Sequence, residues 1–285
     1  MQHRIYESYQ QLLKSSAIFN FIFFTIIFCN QVQAQRLSRE QLKDTVIPSF
    51  SIYKDTYFIT GIPTHTGISD ETADVKYQIS FKQLITRYSL PFDSQLFLTY
   101  TQKAFWNVYE FSSPFQEVNF NPGIGLGRPI FDKDDKLMGL TELKLEHESN
   151  GRDSIYSRSW NSLSFSYHTR VNDKFLLGVK AWVPFAYKDN TDLINYIGYG
   201  ELNLNYDINK DFILDVQARK GNKWDLKGSI RTRLTYKISR STNQHIMLEW
   251  FNGYGESLIA FDQHRSMIRI GYIIKSPDLD ILKIN

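Results

Sequence analysis

Apolar and polar side chains alternate at every second residue through much of the chain. Between 226 and 238 the even positions hold Leu226, Gly228, Ile230, Thr232, Leu234, Tyr236 and Ile238, while Lys227, Ser229, Arg231, Arg233 and Lys237 take odd ones. Period two sends successive side chains of a strand to opposite faces, so this segment has one oily face and one charged face. The same pattern sets Val75, Tyr77, Ile79 and Phe81 against Lys76, Gln78, Ser80 and Lys82, and it aligns Phe175, Leu177, Val179, Ala181, Val183, Phe185 and Tyr187. Helical spacing fits these segments poorly. The pattern predicts twelve strands, at 55–62, 75–87, 95–106, 115–127, 136–149, 157–170, 175–187, 194–206, 212–220, 226–238, 245–252 and 266–275. An even number of antiparallel strands is what a closed bacterial barrel requires.

The connections alternate in length as well. "VNDK", "DINKD" and "RSTNQ" are tight polar turns, whereas "PTHTGISDETAD", "GYGESLIAFDQHR" and the stretch around 150–158 are mostly longer. In membrane barrels the short turns lie on the periplasmic rim and the longer loops outside. A soluble β-sandwich also buries one face of each sheet and is the alternative. Aromatic residues make up 15% of the chain while mean hydropathy is −0.35, a combination that arises when every second side chain faces a polar interior. The expected fold class is therefore all-β, a twelve-stranded antiparallel transmembrane β-barrel.

The first residues read differently. Arg4 and Lys14 precede an apolar run at 17–29 that is short for a membrane helix and leads into Val32-Gln33-Ala34, a small-residue cleavage site. Residues 1–34 are expected to be a cleaved signal peptide and 35–285 a single barrel domain. The one cysteine, Cys29, falls inside that signal, so the mature chain is expected to have no disulfide and no thiolate metal site. A net charge of +3 gives no sign of a nucleic-acid partner. The segment 276–285 lies beyond the last predicted strand.

Candidate chemistry gathers in "HESNGRDSIYSRSWN", residues 147–161. Before it, Leu143 and Leu145 set the odd positions as the apolar face, and His147 and Ser149 continue that row. On the next strand Asn161 shares its face with Leu163, Phe165 and Tyr167. Three polar groups are thus expected on a surface otherwise built for hydrocarbon, which is costly unless they satisfy one another. Ser149 as nucleophile, His147 as its base and Asn161 as the group fixing the imidazole tautomer is the chemistry that such a trio supports.

This stretch resembles the signature of the outer-membrane phospholipase A family, as do "YTQKAFW" (100–106), "SSPFQEVNFNP" (112–122) and "GYGESLI" (253–259). The resemblance implies a calcium-dependent phospholipase of A1/A2 type in the bacterial outer membrane. It would hydrolyse acyl esters of phospholipids and lysophospholipids near the extracellular leaflet. The resemblance also implies the triad Ser149, His147 and Asn161, and a Ca2+ ion held by the Ser157 hydroxyl, the Arg152 backbone carbonyl and waters. Ser112 of a second subunit would complete that site in an active homodimer, with Gln102 a buried polar contact across the dimer interface.

Plainer readings exist for each residue. His147 is a rim histidine if taken alone, Ser149 a polar strand end, and Asn161 a backbone partner at a strand start; Arg152 and Ser157 sit where turn chemistry alone favours them. "GIGLG" (123–127) lies in a predicted strand with no helix after it and is not a phosphate loop, and "GYGES" lacks the flanking glycines of a nucleophile elbow. His65, His168, His245 and His264 show no metal-ligand spacing. The competing functional expectation is a non-enzymatic barrel, either a small pore or a catalytically dead relative that binds lipid.

Overall fold

The structure, a computed structural model, describes residues 36–45, 47–239 and 241–283. The expected signal peptide and its cleavage site lie outside them. The strands are β1 (Phe50–Ser51), β2 (Thr56–Pro63), β3 (Asp74–Leu84), β4 (Gln95–Trp106), β5 (Phe115–Phe131), β6 (Leu137–Ser149), β7 (Ser159–Asn172), β8 (Phe175–Phe185), β9 (Gly200–Asp207), β10 (Phe212–Lys220), β11 (Gly228–Lys237), β12 (Gln244–Gly253) and β13 (Arg265–Ile274). Each from β2 to β13 pairs antiparallel with its neighbours in the chain, and β13 pairs back onto β2, with Ile268 opposite Ile62 and Ile274 opposite Thr56. The result is a closed twelve-stranded barrel with the two-residue β1 laid against β3. Closure leaves none of the twelve barrel strands as an edge with unpaired N–H and C=O groups, which hydrocarbon could not solvate.

The predicted alternation sorts inside from outside. On β6, Leu143 and Leu145 are 45% and 48% exposed while Lys144 and Glu146 are 2% and 6% exposed, so odd residues face out and even ones face the lumen. An outward belt follows around the barrel, including Phe58, Ile79, Leu98, Ile124, Phe165, Val183, Leu248 and Ile270. Gly123, Gly125 and Gly127 lie within β5, where a side chain at Gly125 would collide with Lys144 and the Phe97 ring. These glycines make room for lumenal packing.

Two segments depart from the expected strands. The strand expected at 194–206 begins only at Gly200; ahead of it Leu193–Ile197 forms a short helix, α2, following α1 at Arg39–Asp44. Leu193, Ile194 and Ile197 fall on one side of a helical turn, and there they bury against Trp182 and Phe261. Burial of that cluster overrides the local alternation. Gly198 ends the turn at φ 65, a conformation that other residues adopt at a steric cost, and its N–H donates to the Ile194 carbonyl at 2.9 Å. At the opposite rim β5 runs on to Phe131, and the segment after β13 turns back to the barrel. There Leu282 buries with Leu42 of α1, Leu137 and Leu176, and Lys283 pairs with Asp207 at 2.9 Å.

Between these two apolar clusters the lumen is filled by charge. Lys76 contacts Glu249 at 2.6 Å and Glu256 at 2.9 Å, and Arg269 holds Asp74 through two 2.7 Å contacts and Glu256 through another. Glu256 comes from the loop between β12 and β13, which folds inward. Burial pushes its carboxyl up, but Arg269 and Lys76 outweigh burial and hold it well below the usual carboxylate range. Its ion pairs therefore stabilise the fold above the unfolded carboxylate value and are lost only as pH falls through the lower folded one. Replacing Arg269 by methionine strands Asp74 in the interior and leaves Glu256 with Lys76 alone. Arg269→Met is expected to lower barrel stability by about 3–5 kcal/mol in urea unfolding of the detergent-solubilised protein. An unchanged midpoint would mean that the ion pairs of Arg269 contribute nothing to the fold.

Candidate active site

The register of β6 and β7 sets His147 directly opposite Asn161, and Ser149 opposite Ser159. All three candidate residues lie on the outward face at the loop end of the barrel, and all three are half-buried. The His147 Nδ1 and Asn161 Oδ1 atoms are 2.9 Å apart. An amide oxygen only accepts, so Nδ1 is the nitrogen that carries a proton; in the neutral ring this tautomer leaves the lone pair on Nε2, the form that a general base must have. The asparagine is itself oriented from its other side, where its Nδ2 donates to the Ala186 carbonyl at 3.5 Å.

Ser149 stands two residues along the same outward row, flanked by Phe120 on β5 and Ser159 on β7. Among the described residues, no hydrogen bond joins its hydroxyl to the imidazole. The arrangement thus supplies an oriented base with a hydroxyl on the same face, while the serine–histidine contact is unmade. Such contacts in catalytic sites often tighten only when substrate is bound.

The loop after Ser149 is organised by Asn150, which sequence reasoning missed. Its side chain is buried and donates through Nδ2 to the Tyr156 carbonyl at 2.9 Å, while its Oδ1 accepts from the backbone N–H groups of Arg152 at 3.2 Å and Arg158 at 3.0 Å. Its backbone N–H adds a bond to the Arg158 carbonyl at 3.0 Å. One side chain thus ties both ends of residues 150–158, and Gly151 at φ 64 lets the chain turn over the Phe120 ring. The Asn150-Gly151 pair at a strand end was the available signal, since that dipeptide favours turns with positive φ.

The same loop carries Arg152 and Ser157. The Arg152 guanidinium donates to the Gln116 carbonyl of β5, tying the loop to the barrel wall. A hard cation at Arg152 O and Ser157 Oγ would meet neutral oxygen donors, the ligand type that calcium takes. Among the described residues there is no cluster of three or more His, Cys, Asp or Glu side chains able to hold a metal. Neutral oxygens with no carboxylate among them would hold such an ion weakly. Ser112 lies in the loop between β4 and β5 at the same rim, at φ 66. Within one chain no described hydrogen bond connects it to residues 150–158. Gln102 faces outward on β4 and accepts a hydrogen bond from the Tyr100 hydroxyl at 3.0 Å.

Comparison with known proteins gives a consistent family. The phospholipase A1 family model matches residues 34–274. Phospholipase A1 of Escherichia coli K12 is 33% identical over 212 residues, covering 70% of this chain and 69% of the relative. The outer membrane phospholipase of Salmonella typhi, solved as a dimer with bound calcium, superposes with a TM-score of 0.72 at 26% identity, covering 85% of this chain and 99% of that one. Outer membrane phospholipase A from E. coli has also been solved with an asparagine-to-alanine active-site mutation, with a TM-score of 0.70 at 27% identity over 80% of this chain and 92% of that one. Fold and relatives together define an outer-membrane β-barrel phospholipase. The chain belongs to the phospholipase A1 family.

If Asn150 holds the loop as its hydrogen bonds indicate, Asn150→Ala should expose the segment to protease. Trypsin cleavage after Arg152 or Arg158 in the folded barrel is expected to accelerate about tenfold or more, from the loss of several net-favourable hydrogen bonds. Equal cleavage rates in variant and parent would show that the loop is held by something else.

Proposed function

We propose that the protein hydrolyses acyl ester bonds of phospholipids and lysophospholipids, at either glycerol position, through a Ser149–His147–Asn161 triad that depends on calcium. The observation that carries this reading is the 2.9 Å contact between His147 and Asn161 on the outward face. A buried histidine–amide pair in the lumen would have no access to bilayer lipid, whereas this one sits in a wall of Leu143, Leu145, Leu163 and Phe165 that acyl chains can touch. The asparagine mutated at the active site of the E. coli enzyme supports an asparagine in this role.

In the acylation step His147 Nε2 takes the Ser149 proton as Oγ attacks the ester carbonyl, forming a tetrahedral oxyanion. The imidazolium formed is stabilised by Asn161, which keeps Nδ1–H in place. Collapse expels the lysolipid alkoxide, which takes the proton from Nε2, and leaves an acyl ester on Ser149. Water then attacks that ester with His147 again as base, releasing fatty acid and restoring the serine. Calcium, when bound, supplies electrostatic stabilisation of the oxyanion. The Arg152 carbonyl and Ser157 hydroxyl would hold it, with Ser112 of a second copy as a further ligand in an active homodimer. The dimer with bound calcium seen for the Salmonella protein supports that assembly.

The test is fatty-acid release from phospholipid in detergent. Wild-type protein is expected to turn over with calcium and to stop when a chelator is added. Ser149→Ala should lose at least about 10³-fold in kcat while remaining folded. Calcium-independent turnover that survives Ser149→Ala would remove the triad, and a folded wild-type protein without any turnover would favour a catalytically dead, lipid-binding barrel.

A further inference from the structure

The ladder between β5 and β6 is interrupted beside His147. These strands pair Phe120 with Ser149 and Gly123 with Glu146, and continuing that register would set Asn121 against Glu148 and Pro122 against His147; those two pairs are missing. Proline explains both gaps. Its ring nitrogen has no hydrogen, so position 122 cannot donate to the His147 carbonyl as the antiparallel pattern requires. A peptide carbonyl left unpaired at this depth is unfavourable, because lipid offers it no donor. The Asn121 side chain supplies one, its Nδ2 donating to the His147 carbonyl oxygen at 2.8 Å. Strand parity places the Asn121 side chain on the lumenal face with Asn119 and Gly123, so the barrel keeps this polar amide away from the hydrocarbon.

We propose that Asn121 is a positioning residue for the His147 imidazole: its amide replaces the ladder bond that Pro122 removes and fixes the main chain from which the imidazole projects. The assignment rests on His147 acting as the base. Pro122 presents a rigid ring beside the imidazole on the outer wall, and Asn121 compensates from within for the donor that this ring lacks. Without the amide, the His147 peptide is free to tilt, and the distance from the imidazole to Ser149 and Asn161 is no longer set. Misplacement of a catalytic group by about 1 Å is enough to slow chemistry up to 100-fold.

The experiment uses the full-length protein in detergent with calcium, assayed on phospholipid, with Asn121→Ala, Asn121→Asp, Pro122→Ala and the Asn121→Ala/Pro122→Ala double variant. Asn121→Asp preserves shape and removes the donor. Both single changes at 121 are expected to lower kcat about tenfold with KM unchanged and with the folded barrel retained on a heat-modifiability gel. Pro122→Ala restores a backbone N–H at the broken position. In that background Asn121→Ala should cost less than about twofold, an epistasis that general weakening of the barrel would not produce. Wild-type kcat in Asn121→Ala, or equal losses with and without Pro122, overturns the positioning role. Ser149→Ala is run beside them: if it is inactive while Asn121→Ala is unaffected, only the positioning role fails. If Ser149→Ala retains full activity, the triad reading itself fails.

Discussion

Backbone hydrogen bonding in a solvent that offers none is the constraint behind this structure. Hydrocarbon cannot satisfy a peptide group, so the sheet must close, and β13 returning to β2 completes it. Closure fixes the face of every side chain along each strand, because a slip of one residue would exchange lumen for lipid. The outward position of His147, Ser149 and Asn161 follows from that register. So does the need for Asn121, since the place where proline breaks the ladder is also the place where the closed sheet demands a replacement donor.

Inside, the charges that cannot face lipid are used as structure. Lys76, Asp74, Glu249, Glu256 and Arg269 form a connected network joining β3, β12, β13 and the loop between β12 and β13, and that inward-folded loop, which carries Glu256, becomes part of the lumen. Each charge has partners of opposite sign, the condition under which buried ions are tolerated. Apolar clusters at the two rims, one built on α2 and Phe261 and the other on α1 and Leu282, enclose this polar interior. A barrel filled in this way leaves its outer wall as the surface available to membrane lipid.

Much of this was legible in the chain because barrel strands carry their geometry in a two-residue period. The start of β4, the end of β6 and the whole span of β10 fall where alternation put them, and the parity of 143, 145, 147 and 149 located the site residues on one face. What alternation could not show were segments governed by long-range burial. Residues 193–197 carry apolar side chains that fit either period, and only Trp182 and Phe261, brought from elsewhere, decide for a helical turn. The tail beyond β13 packs on α1 and strand residues distant in sequence. At the site, residue types and faces could be read from the chain. Sequence could not give the tautomer-setting contact, the three-way grip of Asn150 on its loop, or the unmade Ser149–His147 hydrogen bond, all of which depend on side-chain conformation.

All of the chemistry proposed for this barrel requires a nucleophilic serine on the outer wall within reach of bilayer lipid. The most direct test embeds the protein in phospholipid vesicles containing a diacyl phosphonate electrophile confined to the membrane, followed by trypsin digestion and mass spectrometry. One covalent adduct is expected, on the tryptic peptide spanning 145–152, in which Ser149 is the only serine. An adduct on another serine, or protein that stays unmodified while hydrolysing lipid, would contradict it.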